Sequence, residues 1–333
     1  MRARLRANGV AVARDAVIEL CSALDLPTLP EARPGADLLV RARRGLPFPE
    51  RGTLLRAADG WVHPGPPTAW ELFTTMAVSL GAPAPPPGEL LPDVSGLPAE
   101  KIDAEAGEWR LPAVAVRRGP AAPDPAARLL VGPGAGHTGS HIGGHGDARG
   151  AVVVVLGTAW ATPLAGLALA RLGARVVRIE NPRREDPFPL RDALASGQTR
   201  VALDFDEPSG LDAFVAHLAA TDLLVDGNTP RVLTNLGLDD FSLRSVSARL
   251  SVVRVSAFAG DDRPGYGLAA ECRAGWASRF GVPRLSRTSV ADPVAGLLAT
   301  RAGLDALARP GTRARVSLEG AVGHLLDIEA RRG

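Results

Sequence analysis

The chain has 333 residues, 46% of them hydrophobic and 22% charged, with a formal net charge of +2. That length suits two domains of ordinary size with a sizeable core. The near-neutral balance, without any basic run interleaved with aromatics, argues against a dedicated nucleic-acid binder. No apolar stretch reaches the ~18 residues needed to cross a bilayer, so no membrane span is expected. The basic start, MRARLRANGVAVARDAVIEL, is interrupted by Asp15 and Glu19 and reads as a helix start rather than a signal peptide. A cytoplasmic location is the expectation. Cys21 and Cys272 lack CxxC spacing, so neither a zinc site nor a disulfide framework is indicated. Lys101 is the only lysine, and a genomic bias toward Arg and Ala accounts for that without function.

In chain order, residues 1–117 read as a smaller α+β domain. Arg14–Leu26 and Ala36–Arg44 have helical spacing. Gly52–Val62 reads as a hairpin turning at Asp59-Gly60. Thr68–Leu80 is an amphipathic helix, followed by a Pro-rich loop over Ala82–Pro98. Residues 118–150 are too rich in Gly, Pro and small side chains to pack a core, and read as a linker. Residues 151–333 alternate strands with helices. The strands are Ala151–Leu156, Arg175–Ile179, Val201–Asp204, Leu223–Val225, Ser251–Ser256 and Ala314–Leu318. The helices are Pro163–Leu172, Ser209–Ala219, Phe241–Arg249, Asp292–Leu307 and Gly320–Ala330. This grammar predicts a Rossmann-like doubly wound parallel sheet, so the fold class is α/β.

Several features tempt a functional reading. The glycines of Gly132–Gly144 precede the first strand, whereas a dinucleotide fingerprint follows it, so a nicotinamide site is not supported. His137, His141 and His145 recur every four residues. Among so many glycines they belong to a flexible linker rather than to a metal-binding helix face, and no metal is expected. No serine sits in a GxSxG elbow. Glu180 ends the second strand, where such folds place a ribose-binding acid, but that position is not diagnostic. Arg178, Arg183, Arg184 and Arg231 lie near strand ends. They suit phosphate contacts, although each alone is more simply a solvated surface residue. Asp292 opens a long apolar helix. The plain alternative is an N-cap; a carboxylate held there is also a candidate nucleophile.

Four segments in fixed order resemble the family III CoA-transferases, the CaiB/BaiF family, with α-methylacyl-CoA racemases as relatives. They are AWATPLAGLALARLGARVVRIENP, SGQTRVALDFDEPSGLDAFVAHLAATDLLVDGNTPRVLTNLGLD, LSVVRVSAFAGDDRPGYGLAAE and VADPVAGLLATRAGL. RGTLLRAADGWV and AGEWRLPAVAVR look like pieces of the family's smaller domain, here placed first, as in the second half of longer fused members. The chain is also shorter than a usual member. The resemblance implies transfer of CoA between acyl groups, with acyl-CoA and a carboxylic acid as substrates and no tightly bound cofactor. It implies a homodimer, or pairing with a second half-length chain.

Carried over residue by residue, the resemblance places the nucleophile on Asp292. The adenosine diphosphate of CoA would lie near Asn181, Arg183, Leu203, Gly227 and Asn228. Tyr266 would line the pantetheine channel or the acyl pocket. In the implied mechanism Asp292 attacks the thioester and forms an acyl-aspartyl anhydride. The CoA thiolate then forms an aspartyl-CoA thioester, and the acceptor carboxylate finally takes over the CoA. The helix N-terminus is expected to lower the Asp292 pKa. Three departures stand out. The family often carries an acidic residue where this chain has Gly267. The racemase branch has a histidine near Tyr266. A lysine often follows the LD pair where this chain has Asp206. They disfavour racemisation, which needs an acid and a base across the α-carbon. They also motivate an alternative, a non-catalytic CoA-transferase-like binding or assembly subunit.

Overall fold

The computed structural model describes residues 53–119, 127–130, 147–183, 191–279, 281–286 and 289–332. The helices expected at Arg14–Leu26 and Ala36–Arg44 lie outside the described residues, as do the glycines of 132–144 and His137, His141 and His145.

In chain order the elements are β1 (Leu55–Arg56), β2 (Trp61–His63), a single 3-10 turn, α1 (Trp70–Ser79), α2 (Ala99–Glu108), β3 (Val114–Ala115) and β4 (Ala127–Leu130). There follow β5 (Val152–Leu156), α3 (Ala161–Arg171), β6 (Arg175–Glu180), α4 (Arg191–Leu194), β7 (Gln198–Ala202), α5 (Pro208–Ala219), β8 (Leu223–Asp226) and α6 (Pro230–Asn235). The last are α7 (Asp240–Val246), β9 (Ser251–Ser256), α8 (Gly267–Ala274), α9 (Ala291–Leu307), β10 (Arg313–Ser317) and α10 (Leu318–Arg332).

These elements fall into two compact units. One takes Met1–Ala126 with Ala257–Asp292 and Leu318–Gly333; the other takes Ala127–Ser256 with Pro293–Ser317. The sequence boundary placed all of 151–333 in one domain, so the observed division differs. Two late segments group instead with the N-terminal stretch. The stretch read as linker also supplies a strand, since β4 pairs antiparallel with β10.

The second unit holds a seven-stranded sheet in the order β4-β10-β9-β8-β5-β6-β7. Strands β5 to β10 are mutually parallel, with β4 antiparallel at one edge. The chain leaves β5 toward β6 and β7 on one side, then returns through β8 to β9 and β10 on the other. The order therefore reverses between β5 and β8, which puts the crevice of an open α/β sheet at their carboxyl ends. Central strands are apolar on both faces: Val153, Val154, Val155, Leu223, Leu224 and Val225 are fully buried, as sheets covered on both sides require. Edge strand β7 is instead half exposed and polar. Its register begins at Gln198, three residues before the expected Val201. Phe214 and Leu218 of α5 pack with Val154, Leu224 and Val252 in one core cluster.

The first unit carries the three-stranded antiparallel sheet β1-β2-β3. The hairpin turns at Asp59-Gly60 as expected, closed by the Ala57 N–H donating to the Gly60 carbonyl at 3.0 Å. Helices α1 and α2 cover it with Phe73, Met76, Ile102 and Ala106, all fully buried against Val62. Each large side chain so buried contributes roughly 1.5–3 kcal/mol. In the same unit α8 packs on α10 and on β3.

Candidate active site

Asp292 is the second residue of α9, in its first turn. Pro293 follows it without cost, because N–H groups in a first helical turn have no partner to lose. Asp292 as a residue retains some exposure, while protein atoms crowd around its carboxyl. That burial raises its pKa from 3.8 to about 6, opposed by hydrogen bonds from Ser289 and from its own backbone N–H. The expectation of a lowered value is thus corrected: desolvation outweighs the helix-terminus effect. Asp292 is still mostly ionised at neutral pH.

The other groups around it come from α8 and from the turn ahead of α9, all in the first unit. Gly267 opens α8, with Tyr266 at the capping position. A Cβ on Gly267 would stand 1.9 Å from Ser289 Oγ and 2.0 Å from Asp292 Oδ2. The departure at this position therefore has a steric reason: the Asp292 carboxyl occupies the space that a side chain at 267 would need. Tyr266 is exposed at 44%.

One turn further along α8, Glu271 is fully buried. Its Oε1 accepts the Val290 N–H at 2.7 Å. Its Oε2 has no partner within hydrogen-bonding geometry. Burial raises Glu271 from 4.5 to about 7, against the lowering influence of Ser286, the Val290 N–H and Ser289, and the Asp292 charge adds to the rise. Ser289 Oγ accepts the Ala291 N–H at 3.2 Å, and Ser286 Oγ accepts Trp276 Nε1 at 3.2 Å. Sequence reading missed Glu271 and Ser289.

The residues expected around adenosine diphosphate lie in the second unit, at the carboxyl ends of β6, β7 and β8. The Arg183 N–H donates to Asn181 Oδ1 at 2.8 Å. The Arg183 guanidinium is ringed by acids: Asp204 at 2.6 Å, then Asp206 and Glu207 at 3.6 Å each. Its pKa rises through the hydrogen bond and charge of Asp204, with a further contribution from Asp206. Leu203 is half buried against the sheet core. A Cβ on Gly227 would stand 2.0 Å from Thr162 Oγ1, so the chain turns there only as glycine. Both Asn228 N and Nδ2 donate to Asp226 Oδ1 at 3.0 Å. Asp226 is fully buried, which raises it from 3.8 to about 6.

Glu180 is fully engaged by cations, with Arg191 and Arg200 each at 2.8 Å and Arg178 at 3.1 Å. Arg178 is completely buried, which corrects its reading as a solvated surface residue.

The sequence pattern of CoA-transferase family III matches residues 149–322, just over half of the 333. The chain belongs to that family. It is 27% identical over 148 residues to the bile acid CoA-transferase BaiK of Clostridium scindens, covering 42% of this chain and 34% of that protein. It is 29% identical over 175 residues to the succinyl-CoA–D-citramalate CoA-transferase of Chloroflexus aurantiacus, covering 46% and 43%. The chain thus spans less than half the length of these curated relatives. A solved CAIB/BAIF family protein from Brucella suis shares the fold at a TM-score of 0.50, with 23% identity over 57% of each chain. Among the described residues no helix of this family member is long and apolar enough to cross a membrane.

Proposed function

We propose that this family III member is an acyl-CoA:carboxylate CoA-transferase whose nucleophile is Asp292. The observation that carries the reading is the setting of that carboxylate. It stands in the first turn of α9, partly exposed and mostly ionised at neutral pH, with backbone rather than a side chain at Gly267 beside it. Attack by Asp292 on the thioester carbonyl forms a mixed anhydride and releases CoA as thiolate. The thiolate attacks the aspartyl carbonyl, which gives the aspartyl-CoA thioester and frees the donor acid. The acceptor carboxylate attacks the aspartyl thioester, forming a second mixed anhydride and releasing CoA thiolate, which then attacks the acceptor's carbonyl to give the new acyl-CoA and restore the Asp292 carboxylate. A mixed anhydride is about as reactive as a thioester, so each step is nearly level, and covalent catalysis divides one hard exchange into easier ones.

The test is intact-mass analysis after incubation with a panel of acyl-CoAs, followed by hydroxylamine trapping. A hydroxamate on Asp292 is expected, and Asp292→Asn should lose transfer by at least about a thousandfold while keeping its melting temperature. An adduct at another residue, or full activity in Asp292→Asn, would remove Asp292 from this role.

A non-catalytic CoA-transferase-like binding or assembly subunit is the second reading, and the state of Arg183 favours it. Three carboxylates around one guanidinium leave a local excess of negative charge where a CoA phosphate would sit. Asp206→Lys should then tighten CoA binding about three- to tenfold at low salt, with the gain shrinking as salt rises. Calorimetry showing no CoA binding by the native protein, together with no adduct from any donor, would make this second reading the better one.

A further inference from the structure

We propose that Glu271 is a positioning residue for Asp292, supplying the second, fully buried carboxyl of a pair whose members share the hydroxyl of Ser289. The proposal rests on the reading of Asp292 as nucleophile and adds to it a control over when that nucleophile is held in place.

The geometry begins at Gly267. A side chain there is excluded by Ser289 Oγ and Asp292 Oδ2. Glu271 is one helical turn later on α8, and residues i and i+4 share a helix face. Its carboxyl is pinned at one oxygen by the Val290 N–H, two residues before Asp292 in sequence. The other oxygen is buried and unpaired. An unmet buried acceptor costs about 1–3 kcal/mol, more if charged, so the arrangement calls for a proton on that oxygen.

Ser289 acts on both carboxyls. Its oxygen already accepts the Ala291 N–H, and it has a single proton to donate. With Glu271 neutral, that proton goes to the Asp292 carboxylate and fixes its orientation. With Glu271 ionised, it draws on Ser289 as well as Ser286, so the Ser289 hydroxyl is shared between two carboxylates, and like charge is added beside the nucleophile.

Among the described residues the other charged and titratable neighbours are few. Arg279 interacts electrostatically with Glu271, and so does the buried thiol of Cys272. On the packed helix α10, Glu319 faces Arg273 and Glu329 faces Arg279. Strand β3 brings no titratable side chain. Burial and the Asp292 charge both favour the neutral form of Glu271, whose pKa of about 7 lies above that of Asp292 at about 6. The two titrate as a pair, so the apparent values belong to both.

The experiment compares pH profiles of kcat and kcat/KM for the wild type and Glu271→Gln. Glutamine keeps an acceptor for the Val290 N–H but has no proton to lose. The wild type should show a rise through about 6 and a fall beginning near 7. In Glu271→Gln the fall should disappear, leaving kcat at about pH 8 several-fold above the wild type with KM unchanged. A uniform loss of kcat with the fall retained would mean a merely structural role and would overturn the proposal. Infrared spectroscopy of Asp292→Asn, with and without Glu271→Gln, supplies a readout independent of turnover, with Asp226 adding the same band to both. At about pH 6 the protonated carboxylic-acid band should be stronger where Glu271 is present, and that difference should fade above about 7. Equal bands in the two proteins overturn the proposal whatever the kinetics. Failure of the parent reading looks different: it shows as no hydroxamate on Asp292, whereas failure of this one leaves the hydroxamate intact.

Discussion

Three carboxyls crowded by protein, those of the fully buried Asp226 and Glu271 and of the partly exposed Asp292, hold protons more tightly in the folded chain than in the unfolded one. The stability each contributes is complete below its ordinary pKa of 3.8 or 4.5. It is lost as pH rises through about 6 for the aspartates and about 7 for Glu271. Glu180 and Asp261 act in the opposite sense. Both are half-buried yet held low, Glu180 by the bonds from Arg200 and Arg191, Asp261 by the Arg263 N–H and Arg273. Their contribution is present above the ordinary carboxylate range and is lost on acidification. The melting temperature should therefore peak in mildly acidic solution and decline toward pH 8. Asp226→Asn isolates one part of that decline. The amide oxygen keeps the two bonds from Asn228 and cannot ionise. The variant should gain about 1–3 kcal/mol at about pH 8 and close to nothing at about pH 4. A melting series across pH checks this, and equal shifts at both ends would refute the cause. Asp292 and Glu180 stand out in the sequence by their places at a helix start and a strand end, whereas Asp226, Asp261 and Glu271 do not. Glu271 and Asp292 lie on helices joined by the long connection between Ala274 and Ala291, and no spacing rule links a glutamate on one helix to the start of the next.

At the scale of elements, the RPGY segment is tied down by its arginine. Arg263 Nη1 donates to the carbonyls of Asp103 and Ala113 at 3.0 Å each, and Nη2 meets Asp103 Oδ1 at 2.5 Å. The guanidinium also lies over Phe258, 5.2 Å from the ring centre. It is 4% exposed, so its partners would be left buried without it. Arg263→Ala should cost about 3–5 kcal/mol, and Arg263→Lys should recover only part of that, because an ammonium cannot reproduce the fork. Chemical denaturation measures both, and a loss below 1 kcal/mol in the alanine variant would deny the anchor. Legibility differed between elements for physical reasons. The apolar central strands β5, β8 and β9 and the helix α5 were readable because burial writes itself as hydrophobic runs and periods. Helix α2 was not, since AEKIDAEAGE buries only Ala99, Ile102 and Ala106. Strand β7 was read late because an edge strand tolerates Gln, Thr and Arg. Helix α8 has eight residues between a glycine start and a glycine stop, which resemble a loop.

At the scale of the molecule, alternating strands and helices made the α/β class plain, whereas the interleaving of the two units was not visible. A regular βαβ grammar looks contiguous even where segments of it pack elsewhere. That interleaving has a consequence for how the protein is made. Strands β4 and β9 are neighbours only through β10, at Arg313–Ser317. The other unit completes its packing with α10, which begins more than two hundred residues after α2 ends. A ribosome adding roughly 5–20 residues per second needs on the order of ten to forty seconds to cover that interval. During it, the hairpin and its two helices exist as an unfinished surface, and the edge of β9 has no strand beside it. Neither unit can close early and wait for the other: the same late stretch, residues 291–332, finishes both.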